Sequence, residues 1–342
     1  MAESYLALSR DERLEALGVV ATASGRPVHL LEKDIWVVSA LQGLFTSTFG
    51  DHLVFKGGTS LSKGYDIIHR FSEDIDLTYD IRQIIPDLAV GDPPIPPTNS
   101  QADKWTKAAR TKLAEWVKDK ALLVLQGHTK TTGVDVTFRV DDATIYVDYD
   151  PLAKGSGYVP PQVKLEFGAR STGEPAEIRP VTCDAASHLP EIEFPTANPR
   201  IMLPKRTFWE KATAIHVICA QGIKGDRISR HWHDLVRLDD KGFAQSAFDD
   251  KALAKEVADW KSKFFREKNS GGNLIDYSAA VSGKLQLVPD EKIRQELEVD
   301  YKKMADDGIL LGDVEPFEEI MKRCEALQRR ANGVSGSPIG RQ

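Results

Sequence analysis

Asp74 and Asp76 are separated by a single residue in the run Arg70-Phe71-Ser72-Glu73-Asp74-Ile75-Asp76-Leu77. Side chains alternate faces along a strand, so Ser72, Asp74 and Asp76 are expected to point one way, with Ile75 and Leu77 entering a core. Two ionised carboxylates about 4 Å apart repel by roughly 1 kcal/mol in water, and by about four times that at an effective dielectric of 20. A hard, oxygen-seeking cation relieves the repulsion, and Mg²⁺ (or Mn²⁺) is the expected ion. Such a metal binds a triphosphate and activates an attacking hydroxyl. Upstream stands Phe55-Lys56-Gly57-Gly58-Thr59-Ser60-Leu61. A strand that enters a helix through two glycines lets backbone N–H groups approach an anion, and Thr59 or Ser60 adds a hydroxyl donor. Gly57, Gly58, Thr59 and Ser60 thus read as a phosphate cradle, with Ser72 as a further phosphate or Asp74 partner. Taken singly, each piece also has an ordinary reading, as a tight turn and as a solvated acidic edge.

These residues need elements to hold them. Residues 9–24 and 31–48 read as helices; in the second, Leu31, Ile35, Val38, Leu41 and Phe45 recur at helical spacing. His52–Phe55 reads as a buried strand, 56–69 as a helix and Phe71–Asp80 as a second strand. Residues 86–100, with five prolines, read as a loop or partly disordered insertion. A helix over 101–126 precedes strands at Val134–Val140, Thr144–Tyr149, Val163–Phe167 and Ile178–Thr182. Beyond Pro195 the pattern is helical: Lys205–Ala220, Arg230–Asp240, Asp249–Lys268, Asp290–Asp306 and Val314–Arg330. The expected organisation is α+β: residues 1–195 as a mixed sheet with helices, 196–330 as an all-α domain, and 331–342 as a disordered tail.

Composition narrows the function. The 342 residues carry a net charge of −6, which excludes a strongly basic nucleic-acid coat. Residues 196–270 nevertheless hold 15 Lys and Arg against 10 Asp and Glu, so a locally basic segment can meet phosphates. No apolar run approaches the length of a membrane span. The first fifteen residues lack the basic start and apolar core of a secretory signal. Cys183, Cys219 and Cys324 are scattered and fit a reducing cytoplasm rather than a zinc site or disulfide framework. His231 and His233 lie about 200° apart on a helix, which argues against a shared zinc.

The order of cradle and Asp-x-Asp strand, with Asp74 sixteen residues after Gly58, resembles nucleotidyltransferases related to DNA polymerase β. The wording of both motifs, Phe-Lys-Gly-Gly-Thr-Ser-Leu and Arg-Phe-Ser-Glu-Asp-Ile-Asp-Leu, is similar to the AbiEii family, nucleotidyltransferase-like toxins of abortive-infection and type IV toxin–antitoxin systems. Glu32-Lys33-Asp34 also resembles the family's N-terminal helix. Two further signatures match, Glu210-Lys211 on a helix and Arg230-x-x-x-Asp234-Leu235, although His231 stands where relatives often carry a second Asp. The resemblance covers roughly residues 31–240.

It implies a polymerase-β-like fold and an enzyme that moves a nucleoside monophosphate from a triphosphate to a hydroxyl. Asp74 and Asp76 would hold metal, Lys211 would neutralise triphosphate charge, and Asp234 would orient Lys211 or the nucleotide. A third carboxylate on a later strand is implied, with Glu166 preferred over Asp148; an ion pair to Arg170 is the competing reason for Glu166. The implied partners are the tRNA 3′ end as acceptor and a cognate antitoxin protein. The ordinary readings of Lys211 and Asp234 are a surface lysine and a helix-end aspartate. A silent nucleotide- or partner-binding module and a small-molecule nucleotidyltransferase stand as the alternatives.

Overall fold

Residues 3–72, 74–155, 159–306, 309–310 and 314–333 are described by a computed structural model of the chain. The chain divides into two compact units. The first comprises residues 1–66, 71–90 and 104–202, the second 67–70, 91–103 and 203–342.

The strands are β1 (Glu3–Ser4), β2 (Leu53–Lys56), β3 (Asp74–Tyr79), β4 (Val136–Asp141), β5 (Thr144–Tyr149), β6 (Gln162–Gly168), β7 (Ala176–Ile178), β8 (Val181–Thr182), β9 (Ile192–Glu193), β10 (Thr196–Ala197) and β11 (Arg200–Met202). Seven of them form one mixed sheet in the order β4-β5-β6-β3-β2-β11-β7. Pairing is parallel at β3–β6 and β2–β11 and antiparallel elsewhere. The helices of this half are α1 (Arg10–Ser24), α2 (Val28–Phe45), α3 (Gly57–Lys63), α4 (Ile81–Ile84), α5 (Asn99–Trp116) and α6 (Leu122–Thr132), with a π-turn at Val117–Ala121 between the last two. Ser9 starts α1 with a capping box to Glu12, and Gly25 ends it in the left-handed conformation.

Burial alternates along β5 and β6, so Val147, Val163 and Leu165 enter the core while their neighbours stay half-buried. Helix α2 packs against β6, β10 and α6 and is buried almost throughout. The second unit is helical: α7 (Pro204–Gln221), α8 (Arg230–Asp240), α9 (Phe243–Asp249), α10 (Lys251–Phe264), α11 (Tyr277–Val281), α12 (Glu291–Asp306) and α13 (Phe317–Ala331). A mixed sheet joined to a helical C-terminal region is the expected fold class.

Several local expectations are corrected. Helix α3 ends at Lys63 instead of near His69, because Gly64 closes it and Asp66 turns left-handed. Strand β3 starts at Asp74, so Ser72 precedes the strand and does not share its face by alternation. The expected strand Ile178–Thr182 is two strands split at Arg179-Pro180, since proline offers no N–H to a ladder. The expected helix Asp249–Lys268 breaks at Asp250, whose carboxylate accepts from Leu253 N at 3.0 Å and starts α10. The proline-rich insertion runs as a loop up to Thr98, one of its two expected forms, with Pro94 and Pro96 buried. Of the expected tail, Ala331 belongs to α13 and Asn332 exchanges hydrogen bonds with Leu285; residues 334–342 lie outside the described residues.

Candidate nucleotide and phosphate sites

The glycine turn and the aspartate strand meet at one point. Lys56 and Asp76 are register partners on β2 and β3. Gly57 follows with φ +80°, and a Cβ there would collide with the Asp76 carboxylate. Both facts demand glycine, because a side chain is strained at that φ and has no space. No side chain caps the start of α3. Thr59 and Ser60 are buried, and their hydroxyls serve the fold. Thr59 donates to the Asp74 carbonyl and lies 2.9 Å from the Ser72 hydroxyl, while Ser60 donates to the Gly57 carbonyl at 2.9 Å. The first of these contacts ties α3 to the start of β3.

Asp74 and Asp76 are half-buried on one face of β3, with Ile75 and Leu77 buried on the other. In the parallel neighbour β6, Lys164 stands opposite Asp74 and Glu166 opposite Asp76. Glu166 therefore shares the aspartate face. It forms an ion pair with Lys164, at 2.7 Å. Burial opposes the Lys164 charge, but Glu166, Asp74 and Tyr146 outweigh it and raise its pKa. Asp148 stands opposite Gln162, four positions along β6 from Glu166, and is held by Arg139 at 2.7 and 3.0 Å.

Among the described residues, no three His, Cys, Asp or Glu side chains converge into a metal cage. Mg²⁺ does not need one, since it is usually held by one or two carboxylates together with substrate phosphates and water. The adjacent Asp74 and Asp76 carboxylates fit that donor set.

Deeper support comes from the Glu32-Lys33-Asp34 string on α2, where all three residues are buried. Asp34 pairs with Lys63 of α3 at 2.7 Å and accepts from Asp184 N at 2.7 Å, and Lys63 also meets Asp184 at 2.7 Å. Glu32 accepts from Leu152 N at 2.8 Å, and Lys33 donates to the Pro160 carbonyl at 3.1 Å. The string thus anchors the cradle helix and the loop before β6.

The second unit holds a charge cluster. Arg70 donates to both Asp234 oxygens at 2.7 and 2.8 Å, and Lys211 donates to Oδ2 at 2.7 Å. Asp234 is 0 % exposed and Lys211 8 %, so neither is a surface residue. Burial tends to raise the Asp234 pKa, but Arg70 and Lys211 overcome it and hold the carboxyl well below its usual value. Burial, Arg70 and Arg230 lower the Lys211 pKa against the pull of Asp234. His233 Nδ1 lies 3.3 Å from Asp234 Oδ1. Burial first, then Lys211 and Arg230, push His231 down to about 3, which keeps it neutral.

The helices beyond residue 240 secure α8, which carries Asp234. Asp300 of α12 accepts from Arg227 N at 3.0 Å, Ser229 N at 2.8 Å and the Ser229 hydroxyl at 2.6 Å. Trp232 Nε1 donates to the Leu287 carbonyl at 2.7 Å. At the other end Arg323 of α13 reaches the Val236 carbonyl and the Asp240 carboxylate.

Sequence reasoning gave Arg70, Lys164 and Asp300 no role. Lys164 was findable, lying two residues before Glu166 on one strand face. Nothing in local spacing signals the bond between Arg70 and Asp234 or the Asp300 cap.

A nucleotidyltransferase is the class that a mixed sheet with a glycine turn against an Asp-x-Asp strand defines. Residues 39–323 match the family model for the nucleotidyl transferase AbiEii toxins of type IV toxin–antitoxin systems, and the chain belongs to that family. The match runs past residue 240, where the recognisable motifs stop, and so takes in the helices that secure α8. No curated protein sequence matches the chain. Among solved structures, the nucleotidyltransferase toxin MenT4 from Mycobacterium tuberculosis H37Rv is 18 % identical, with 96 % of this chain and 94 % of that one covered and a TM-score of 0.44. JHP933 from Helicobacter pylori is 16 % identical, with 89 % and 92 % covered and a TM-score of 0.42.

Proposed function

We propose that this nucleotidyltransferase moves a nucleoside monophosphate from a nucleoside triphosphate to the 3′-terminal hydroxyl of tRNA, in a Mg²⁺-dependent reaction. The acceptor oxygen bonds to the α-phosphorus, the bond to the bridging oxygen breaks, the hydroxyl proton is lost and pyrophosphate leaves. The observation that carries the reading is the Gly57 backbone pressed against the Asp76 carboxylate, on the strand face shared by Asp74 and Glu166. The backbone at Gly57 and Gly58 receives phosphate oxygens, while Thr59, Ser60 and Ser72 fix the turn beside them. Asp74 and Asp76 would hold Mg²⁺ (or Mn²⁺), with Glu166 as third carboxylate once it leaves Lys164. The ion supplies charge neutralisation and a more acidic acceptor hydroxyl. Lys211, oriented by Asp234, neutralises phosphate charge.

The excess of 15 basic over 10 acidic residues in 196–270 supports an RNA acceptor over a small molecule. As a type IV toxin-family member the enzyme is restrained by a cognate antitoxin protein, and we place it in the cytoplasm. No helix among the described residues is long and apolar enough to cross a membrane. The test is incubation with each α-labelled triphosphate and purified tRNA, either intact or with an oxidised 3′ terminus. Label on intact tRNA alone is expected. Equal labelling of both, or labelling of a small molecule or protein alone, would remove the RNA-end acceptor; nucleotide binding without turnover would make the chain a silent module.

A further inference from the structure

In the second unit two cations meet one buried carboxylate, and a third stands one helical turn away. Arg70 and Lys211 share Asp234. Arg230 stands one helical turn before Asp234 on α8, and residues four apart lie on the same helix face. Among the described residues, Arg230 has no hydrogen-bond or ion-pair partner, whereas Arg206, Arg237, Arg323 and Arg330 of the same unit all meet acids. Its neighbour His231 buries an Nδ1 that also lacks a partner. The Arg230 charge is felt at Lys211 and His231, lowering both. Burial lowers the His233 pKa as well, so the cluster sets one carboxylate against Arg70 and Lys211, with Arg230 on the Asp234 face of α8. The turn leading into Arg230 is fixed by three hydrogen bonds to Asp300, and Ser229 is fully buried. A cation so placed, with its backbone fixed and no acid to meet, suits an anionic ligand.

We propose that Arg230 is a phosphate-positioning residue that forms, with Lys211, an anion subsite on the second unit. The ligand is a phosphate group, and a planar guanidinium can donate to two of its oxygens at once. The inference rests on the nucleotidyltransferase reading, which supplies phosphates from the triphosphate or from RNA.

The test uses the full chain and calorimetric binding of tripolyphosphate, of Mg²⁺-ATP and of tRNA. Arg230→Ala is expected to weaken tripolyphosphate and ATP binding by about ten- to a hundredfold, with Arg230→Lys intermediate because it restores charge without the fork. The melting temperature should hold to within a few degrees, since the substitution removes no hydrogen bond or ion pair among the described residues. Arg329→Ala, which removes an exposed arginine paired with Glu325, is the control and should change nothing. Loss confined to tRNA binding, with a shallower salt dependence, would assign the subsite to RNA phosphate and still support it. Unchanged binding of all three ligands by Arg230→Ala, in a chain whose wild type transfers label, would overturn this inference alone. A wild type that binds none of the ligands would overturn the functional reading as well. A melting point several degrees lower with unchanged affinities would make Arg230 structural.

Discussion

The aspartate face of β3 and the Arg70–Asp234–Lys211 cluster both gather charge, but they manage it in opposite ways. On β3, two carboxylates stand half-buried on one face, and Lys164 of the neighbouring strand feels the Asp74 charge. In the second unit a fully buried carboxylate is matched by two cations. Half-buried carboxylates on one strand face suit a hard cation, whereas a fully buried carboxylate bonded to two cations underwrites the fold around it. The first arrangement suits a binding surface and the second a positioning element.

That contrast breaks most sharply on stability. Asp234→Ala leaves Arg70 and Lys211 buried without their acid and is expected to destabilise the chain by about 3–5 kcal/mol. Lys211→Ala keeps the bidentate Arg70 contact and should cost less. Denaturant unfolding of the two variants beside Asp76→Ala checks the order; Asp76→Ala should lose little stability or none. If Asp234→Ala and Asp76→Ala melt alike, the two sites do not differ as described.

Gly57→Ala probes the join between cradle and strand. Its left-handed φ costs roughly 1–2 kcal/mol for any L-residue, and its methyl group meets the Asp76 carboxylate. A modest fall in stability with a much larger fall in label transfer is expected. Gly25→Ala is the reference, being equally left-handed but in open space; it should show the stability loss without the activity loss.

Much of the first site was legible because it is local. Gly57 and Asp76 lie within one strand–helix–strand passage, so motif order and strand alternation were enough to bring them together. Alternation failed only at Ser72, because β3 begins two residues later and Thr59 holds the Asp74 carbonyl. The second site was legible as residue types but not as a structure. The partners Arg70 and Asp234 are 164 residues apart, and no period or spacing links them. Asp300 was invisible for the same reason, as a capping residue contributed by a distant helix. Glu32-Lys33-Asp34 shows the converse: a charged string on an apolar helix has a structural purpose, visible only once Lys63, Leu152 and Pro160 are in place.

A smaller effect concerns Glu32, whose carboxyl is pushed up to about 7, chiefly by burial, against the Leu152 N–H and the Arg13 and Arg10 charges. Between about 4.5 and 7 the folded chain keeps a proton that the unfolded chain has lost. Stability should therefore fall as pH rises through that window and level off above it. Glu32→Gln keeps an acceptor for Leu152 N and should remove this slope, leaving the variant more stable than wild type at pH 8 by up to about 3 kcal/mol. Thermal melts across pH 5–8 check it.

The central claim is that the β3 face is the catalytic metal face. Its most direct measurement is transfer of an α-labelled nucleotide by wild type, Asp74→Asn and Asp76→Asn, with and without EDTA, alongside circular dichroism of each protein. Loss of transfer by more than about a hundredfold in either variant, matched by EDTA on wild type and with the fold unchanged, is the expected result. Near-normal transfer by either folded variant would contradict it.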